Sequence, residues 1–393
     1  MQILIYKGDS QYGAFDYFAQ CLADALKSRN HDVVIFDLNM ENAMKNLSEI
    51  YITKSFDIVI GFNGIGGDME VENKSIYDII KTYYLGIFVD HPAFVVSRLA
   101  IPMNYFLASF LDKSHVDFVQ NSMPESQMLK FFMPLSGTQY EDEIKTFEVY
   151  KSLKNIDILF TGSNFGKPVK KWEDNIFFPS FLFDELAEKL IKDDYISVED
   201  AFNQILDKYK LAFSTISKAQ ISNTISVVIT YVRQYKRELV MEKLFQSGLY
   251  ITVYGKNWDE LVEKYPNVIN GGEVSLEKSM ELTKKAKVII NLNTNFTNGA
   301  HDRVFTGMLN HAVVFTDKST YYDEFYEDKI DYLTYSLNTL DEDIRKLNEY
   351  LQDDKKLFDM ANKAYEITSI NHSWLQRAKY LENMITLAKT INS

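Results

Sequence analysis

The sequence has a single cysteine, Cys21, in 393 residues. No intrachain disulfide can form, which fits a reducing, cytoplasmic compartment. Cys21 falls in an apolar helical pattern, so it reads as a buried structural thiol rather than a nucleophile. Basic residues are in deficit: 42 Lys and Arg against 55 Asp and Glu leave a net charge of −13. That balance counts against a general nucleic-acid or anionic-membrane binder. No apolar run approaches the roughly 18 residues of a membrane span. The chain opens directly into a strand pattern without a basic region and long apolar stretch, so no secretory leader is expected. No His/Cys or carboxylate cluster has metal-ligand spacing. Internal repeats and low-complexity tracts are absent.

What is present fits a soluble globular protein. Apolar residues make up 46% and charged residues 25% of the chain, both ordinary values. At roughly 150 residues per domain, the length suggests two or three domains. The 25 Tyr and 27 Phe are numerous, which suits thick cores as well as carbohydrate or partner surfaces.

In chain order the pattern alternates strand and helix. Residues 2–6 read as a strand, 14–29 as an amphipathic helix and 32–38 as a second strand, a βαβ unit. The connecting Gly8-Asp9-Ser10-Gln11-Tyr12-Gly13 lacks the Lys-Ser/Thr of a P-loop and the spacing of a dinucleotide fingerprint, so it reads as a tight turn. A strand over 56–62 ends in Asn63-Gly64-Ile65-Gly66-Gly67. Its glycines allow close backbone approach or flexibility. A strand over 85–89 ends in Asp90-His91-Pro92, and Pro92 places this carboxylate and imidazole at a carboxyl strand end. Residues 115–120 and 128–135 are expected to be the last strands of this half. The acidic stretch 141–151 marks the domain boundary, giving an N-terminal domain over 1–150.

The second half opens with a strand at 156–161 and Gly162-Ser163-Asn164-Phe165-Gly166. Residues 180–246 read as helical, and the positive charges of 233–243 as a solvated helix face. A strand at 249–254 leads to Gly255-Lys256-Asn257-Trp258. Ser275 is placed to cap a helix over 276–285. The central stretch is 287–317. A β-branched strand at 288–292 runs into the polar loop 293–301, punctuated by Gly299. Asp302 is expected to cap a helix starting at Arg303, and 312–315 is the next strand. A parallel sheet puts such a loop at its carboxyl edge, where α/β folds bind ligands. The helix N-terminus offers backbone N–H groups and a positive dipole end to phosphate. An ordinary βαβ unit with a polar loop reads equally well from this stretch alone. The fold class is α/β, two doubly wound domains whose carboxyl strand ends face each other across a cleft. The second domain runs over 151–370, and 371–393 forms a C-terminal helix packing back toward the first.

With those loops placed, the second half resembles the bacterial glycosyltransferases related to the spore maturation protein CgeB. Ile156-Asp157-Ile158-Leu159-Phe160-Thr161-Gly162-Ser163 is similar to that family's opening strand and Gly-Ser loop. Residues 237–244, then 249–258 ending in Tyr254-Gly255-Lys256-Asn257-Trp258, resemble its helix and strand end. Gly272-Glu273-Val274 and 282–292 resemble the next turn, helix and strand. Asp302-Arg303-Val304-Phe305 matches its Arg-Val-Phe-Glu stretch, with Thr306 where the family has Glu and Asn310-His311 where it has small residues. Asn371-His372-Ser373-Trp374-Leu375-Gln376-Arg377 is similar to its last helix, and Phe88-Val89-Asp90-His91-Pro92 to its Asp-Asp-Pro strand end.

The resemblance implies a GT-B fold, two Rossmann-like domains with the nucleotide-sugar held mainly by the C-terminal one. It implies transfer of a hexose-type sugar from a nucleoside diphosphate-sugar, UDP favoured, to a protein or glycan acceptor, with neither metal nor cofactor. Protein cations then stabilise the leaving diphosphate. Arg303 is the first choice, and Lys256 and Lys167 are in reserve. The donor-binding set is Gly162, Ser163, Tyr254, Gly255, Asn257, Trp258, Asn293, Gly299, His301, Asp302, Arg303, Val304 and Thr306. The base is expected at 254–258 and 272–274. An inverting enzyme needs a base from the first half, for which Asp9, Asp90 and His91 are the candidates. The competing readings are a nucleotide-sugar epimerase of the same fold and a non-catalytic nucleotide- or sugar-binding module.

Overall fold

The computed structural model describes residues 1–10, 13–174, 178–211, 215–292 and 296–391, without the side chains of 215–220. The chain divides into two compact units. One comprises Met1–Leu135 with Trp374–Ser393, the other Ser136–Ser373.

The first unit is built on a parallel sheet of β1 (Gln2–Lys7), β2 (Asp32–Asp37), β3 (Ile58–Phe62), β6 (Tyr83–Phe88), β7 (Phe106–Phe110) and β8 (Leu129–Phe132). A two-stranded hairpin, β4 (Glu70–Val71) and β5 (Lys74–Ser75), stands apart from it. The order is β2-β1-β3-β6-β7-β8. Residues of β3, β6 and β7 are buried throughout, as strands covered on both faces must be. All six carboxyl ends therefore share one edge. The order reverses between β1 and β3, so the loops after these two strands flank the switch point.

The second unit repeats the plan with β9 (Ile156–Thr161), β10 (Ile251–Tyr254), β11 (Val268–Asn270), β12 (Ala286–Asn291), β13 (Val313–Asp317) and β14 (Leu333–Tyr335). Its order is β11-β10-β9-β12-β13-β14, all parallel. The switch point lies between β9 and β12. Phe160, Val253, Trp258, Ile290 and Phe315 form part of its core. Between β9 and β10 the chain makes three helices, Ser180–Lys192, Val198–Tyr209 and Thr215–Gln246.

Two sequence expectations differ from the structure. Residues 115–120 are not a strand: they lie in the helix Lys113–Ser122. Asp112 caps it by accepting from the Ser114 N–H at 2.8 Å, and His115, Phe118 and Val119 are its buried residues. That is the i, i+3, i+4 spacing of a helix. The missing strand is β7, just before. The boundary also falls at 135/136 rather than near 150. Residues 136–153 belong to the second unit because Ile144 and Tyr150 are buried in its core.

The C-terminal helix Trp374–Ile391 belongs to the first unit. Trp374 packs on Phe18 with ring centroids 5.9 Å apart. Arg29 makes a bidentate ion pair with Glu382 at 2.5 and 2.6 Å. Arg377, buried, donates to the carbonyls of Pro134 and Leu135.

Candidate functional site

At the carboxyl edge of the second unit, backbone contacts tie the ends of β9 and β10 together. The Gly162 N–H donates to Tyr254 O at 2.7 Å. Gly255 has φ +141°, and a Cβ there would lie 2.4 Å from Gly162 O. Only glycine fits this approach. Ser163 Oγ accepts from the Lys256 N–H at 3.1 Å, and Asn257 Nδ2 donates to Asn164 O. These residues brace the two loops.

Trp258 was expected to meet the base, but its side chain is 1% exposed. It sits edge-on to Phe160 and donates Nε1–H to Gly162 O at 2.8 Å. A buried indole with its one donor satisfied is part of the core. Tyr254 is half-buried, its ring against Gly271. The exposed Lys256 pairs with Glu273 at 3.3 Å, and Lys167 is exposed.

At the switch point the buried Phe160 ring carries two guanidinium groups, with Arg303 Cζ 5.8 Å and Arg237 Cζ 5.7 Å from its centroid. Arg303 donates to Asn291 Oδ1 at 3.3 Å. Asn291 in turn donates to Thr316 Oγ1, which donates to Asp317 Oδ1. Tyr335 OH donates to Asn291 O. This network aims Arg303 from the ends of β12 and β13.

The reading of 233–243 as a solvated face missed Arg237. Its side chain lies in a residue only 9% exposed, donating Nη1–H to Ser163 O at 2.7 Å and covered by Phe165, 4.6 Å away. Its Nε–H is buried and finds no acceptor among the described residues. Burial, and then the like charges of Arg303 and Arg233, push the guanidinium below its usual range. A buried cation without a counter-charge costs several kcal/mol. An anion lying against both guanidiniums would offset that cost. The apolar helical pattern around 237–244 was the only sequence signal for its burial.

The helix beginning here is Asp302–Leu309, and its cap is His301 rather than Asp302. His301 Nδ1 accepts from the Arg303 N–H at 3.2 Å, and the Val304 N–H donates to His301 O. Val304 itself is fully buried. Two of the amides expected to await phosphate are thus already bonded. The Asp302 carboxyl, which burial raises, is held below its ordinary range by His301 and then Arg303. Gly299 O accepts from Ser319 Oγ at 2.7 Å. Asn293 lies outside the described residues.

Thr306 Oγ1 accepts from the Thr138 N–H at 3.2 Å, with its own O–H still able to donate. The other departures from the family pattern act on the same segment. Asn310 accepts from the Tyr140 N–H and donates to Thr138 O. His311 Nε2 accepts from the Ile144 N–H at 3.3 Å. Gly137 passes so close that a Cβ would lie 2.3 Å from the Phe305 carbonyl carbon. Thr306, Asn310 and His311 therefore fasten residues 137–144 along this helix.

In the first unit, Asp9 and Asp90 both follow strands at the carboxyl edge. Asp9 is exposed and accepts from Asn39 Nδ2 at 3.0 Å. Asp90 is half-buried and accepts from Asn63 Nδ2 at 3.3 Å. His91 is 3% exposed, accepts from the Ala93 N–H through Nδ1, and lies edge-on to His115. Burial, reinforced by His115, keeps it neutral. Its side chain caps the turn over residues 92–94. The glycine loop is rigid: the Ile65 and Gly66 carbonyls accept from Tyr84 and Tyr77, and Arg98 holds Asn63 O at 2.5 Å. Among the described residues, no three His, Cys, Asp or Glu side chains converge as a metal-ligand set, and no helix is long and apolar enough to cross a membrane.

Residues 233–383 match the family described as glycosyl transferase-like. No curated protein matches the chain. Among solved structures, sucrose-phosphate synthase from Thermosynechococcus elongatus superposes with a TM-score of 0.58 at 9% identity, covering 99% of each chain. A glycosyltransferase from Rickettsia africae gives 0.53 at 11% identity, covering 98% of each. An alpha-glucosyltransferase solved with UDP-glucose and DNA gives 0.52 at 12% identity, covering 98% of this chain and 99% of that one. The chain thus has the GT-B fold seen in these glycosyltransferase structures, and its residues 233–383 match a glycosyl transferase-like family.

Proposed function

We propose that this chain is a hexosyltransferase of the CgeB-related kind, taking its sugar from a nucleoside diphosphate-sugar. The observation that carries the reading is the pair Arg303 and Arg237 on one Phe160 ring at the switch point, with the Arg237 Nε–H buried and unsatisfied. Two guanidiniums that no carboxylate bridges among the described residues suit a diphosphate, whose charge grows as the sugar leaves. They supply the neutralisation that a metal ion provides elsewhere, so transfer without metal is part of the proposal. UDP is favoured because similar folds were solved with UDP-glucose.

Asp90 is the preferred general base of an inverting reaction and Asp9 the alternative, both belonging to the first unit. Thr306 accepts from the Thr138 N–H, so only its hydroxyl proton is left to offer where the family's Glu meets the ribose. A protein or glycan is the proposed acceptor, since a net charge of −13 disfavours a nucleic acid.

The test is a thermal-shift panel of nucleoside diphosphates and their sugars in metal-free buffer. A ligand at about 100 times its Kd adds about 2.7 kcal/mol of stability. A shift with UDP that Arg303→Ala and Arg237→Met each abolish is expected. No shift with any nucleotide sinks the donor site. A shift without release of nucleoside diphosphate in the presence of glycan acceptors would turn the reading to a binding module.

A further inference from the structure

We propose that His301 is a proton-linked positioning residue of the donor anion subsite, releasing the Arg303 backbone amide to phosphate when its imidazole takes up a proton. The inference rests on the donor reading above. Its basis is one ring nitrogen with two incompatible neighbours. His301 Nδ1 lies 3.2 Å from the Arg303 amide nitrogen and 2.9 Å from Asp302 Oδ1. Toward the amide it must offer a lone pair; toward the carboxylate it must offer a proton. One nitrogen cannot do both.

The two states differ in what they present. With Nδ1 unprotonated, His301 caps the helix and the Arg303 N–H is occupied. The Asp302 carboxylate then faces the same lone pair, which is repulsive. With both ring nitrogens protonated, Nδ1–H pairs with Asp302 and the Arg303 amide loses its acceptor. The freed N–H sits at a helix N-terminus beside the Arg303 side chain, whose guanidinium shares the Phe160 ring with the unsatisfied Arg237. An arriving diphosphate takes the place of the lost cap and meets one more positive charge. The only bond made on the protein is Nδ1–H, by a proton passing from a solvent or buffer acid to the imidazole, with Asp302 remaining ionised as its partner.

The surroundings of His301 are defined. Its own backbone N–H donates to Tyr322 OH at 3.3 Å, and the Phe296 ring lies edge-on at 6.1 Å. The charged groups on its helix are Asp302 and Arg303. From the neighbouring strand end, the Asp317 carboxylate acts on Tyr322. The imidazole is about one-third exposed, so solvent can deliver the proton.

The experiment is calorimetric titration of the full chain with UDP between about pH 5.5 and about 8.5, in two buffers of different ionisation enthalpy. His301→Asn is the reference: Asn accepts from the helix N–H as a cap but cannot take up the proton. The terminal phosphate of UDP titrates identically with both proteins, so their difference isolates His301. Wild-type protein is expected to take up a proton that the variant does not. Its affinity should fall with rising pH, relative to the variant, by up to about tenfold per pH unit. Equal proton uptake and parallel pH profiles would overturn the inference while leaving the donor site standing. No UDP binding by wild-type protein at any pH is the distinct failure of the donor reading itself. If His301→Asn does not fold, His301→Gln serves as the reference.

Discussion

Arg237 is a buried cation whose side chain carries the donor-site proposal. It lies in an almost sealed position, with Phe160 and Phe165 on its flanks and like charges nearby. Replacing a buried, uncompensated charge by an apolar residue of similar length is often neutral or stabilising. Arg237→Met is therefore expected to leave the ligand-free melting temperature unchanged or raised while removing the UDP-induced shift. A large loss of ligand-free stability would mean that the guanidinium is a structural brace only. His311 makes a different prediction. Burial, then the charges of Lys154 and Lys284, hold it down to about 4 against an ordinary 6.5, with its bond to Asn362 opposing. Lys154 donates to Asn310 O, Lys284 to Tyr140 O, and Tyr365 stacks on the imidazole. Because the folded value is the lower one, the unfolded chain binds the proton first. The contribution of neutral His311 is complete above pH 6.5 and is lost as pH falls toward 4. It amounts to up to about 3 kcal/mol. Urea denaturation across that window should show the loss, and His311→Gln should flatten it.

Among elements, the helix Lys113–Ser122 and the strand β7 show how local pattern misleads. A window over 115–120 looks apolar enough for a strand. The deciding feature is Asp112, whose carboxylate accepts both the Ser114 N–H and its hydroxyl. Asp112→Ala should cost about 1–2 kcal/mol, as caps do, measured by urea titration with an unchanged slope; no change would remove the cap from the explanation. The strand–loop–helix–strand of 287–317 was legible because its apolar runs and punctuation are strong. Its chemistry was not. Whether His301 or Asp302 capped the helix depended on one turn of backbone, and Arg237 is 66 residues from Arg303 in sequence. Periodicity cannot bring two such side chains to one ring. In sequence, Thr306, Asn310 and His311 stand out only as departures from the family pattern, and tertiary packing shows them gripping residues 137–144.

At the scale of the molecule, each unit must bury its own sheet, and the C-terminal helix completes the first one. It covers Phe18 with Trp374 and anchors Arg29 through Glu382. Removing residues 374–393 is expected to lower the melting temperature of the first unit and make it prone to proteolysis while the second unit keeps its transition. Calorimetry with limited proteolysis would check this, and a single unchanged transition would contradict it.

The sequence by itself determined the fold class. Alternating buried strands and amphipathic helices leave few arrangements other than doubly wound parallel sheets, because buried strands read as continuous apolar runs. Apart from the loop after β7, whose strand the sequence placed too late in the chain, it also determined which loops lie at the carboxyl edges, since in a parallel sheet that follows from strand order. Only the tertiary structure decided which residues at those strand ends are buried and which stay at the surface. Trp258 and His91 turned inward, and Arg237 emerged as a buried cation. The physical reason is that burial and hydrogen-bond satisfaction are set by neighbours far apart in the chain, which no local pattern encodes.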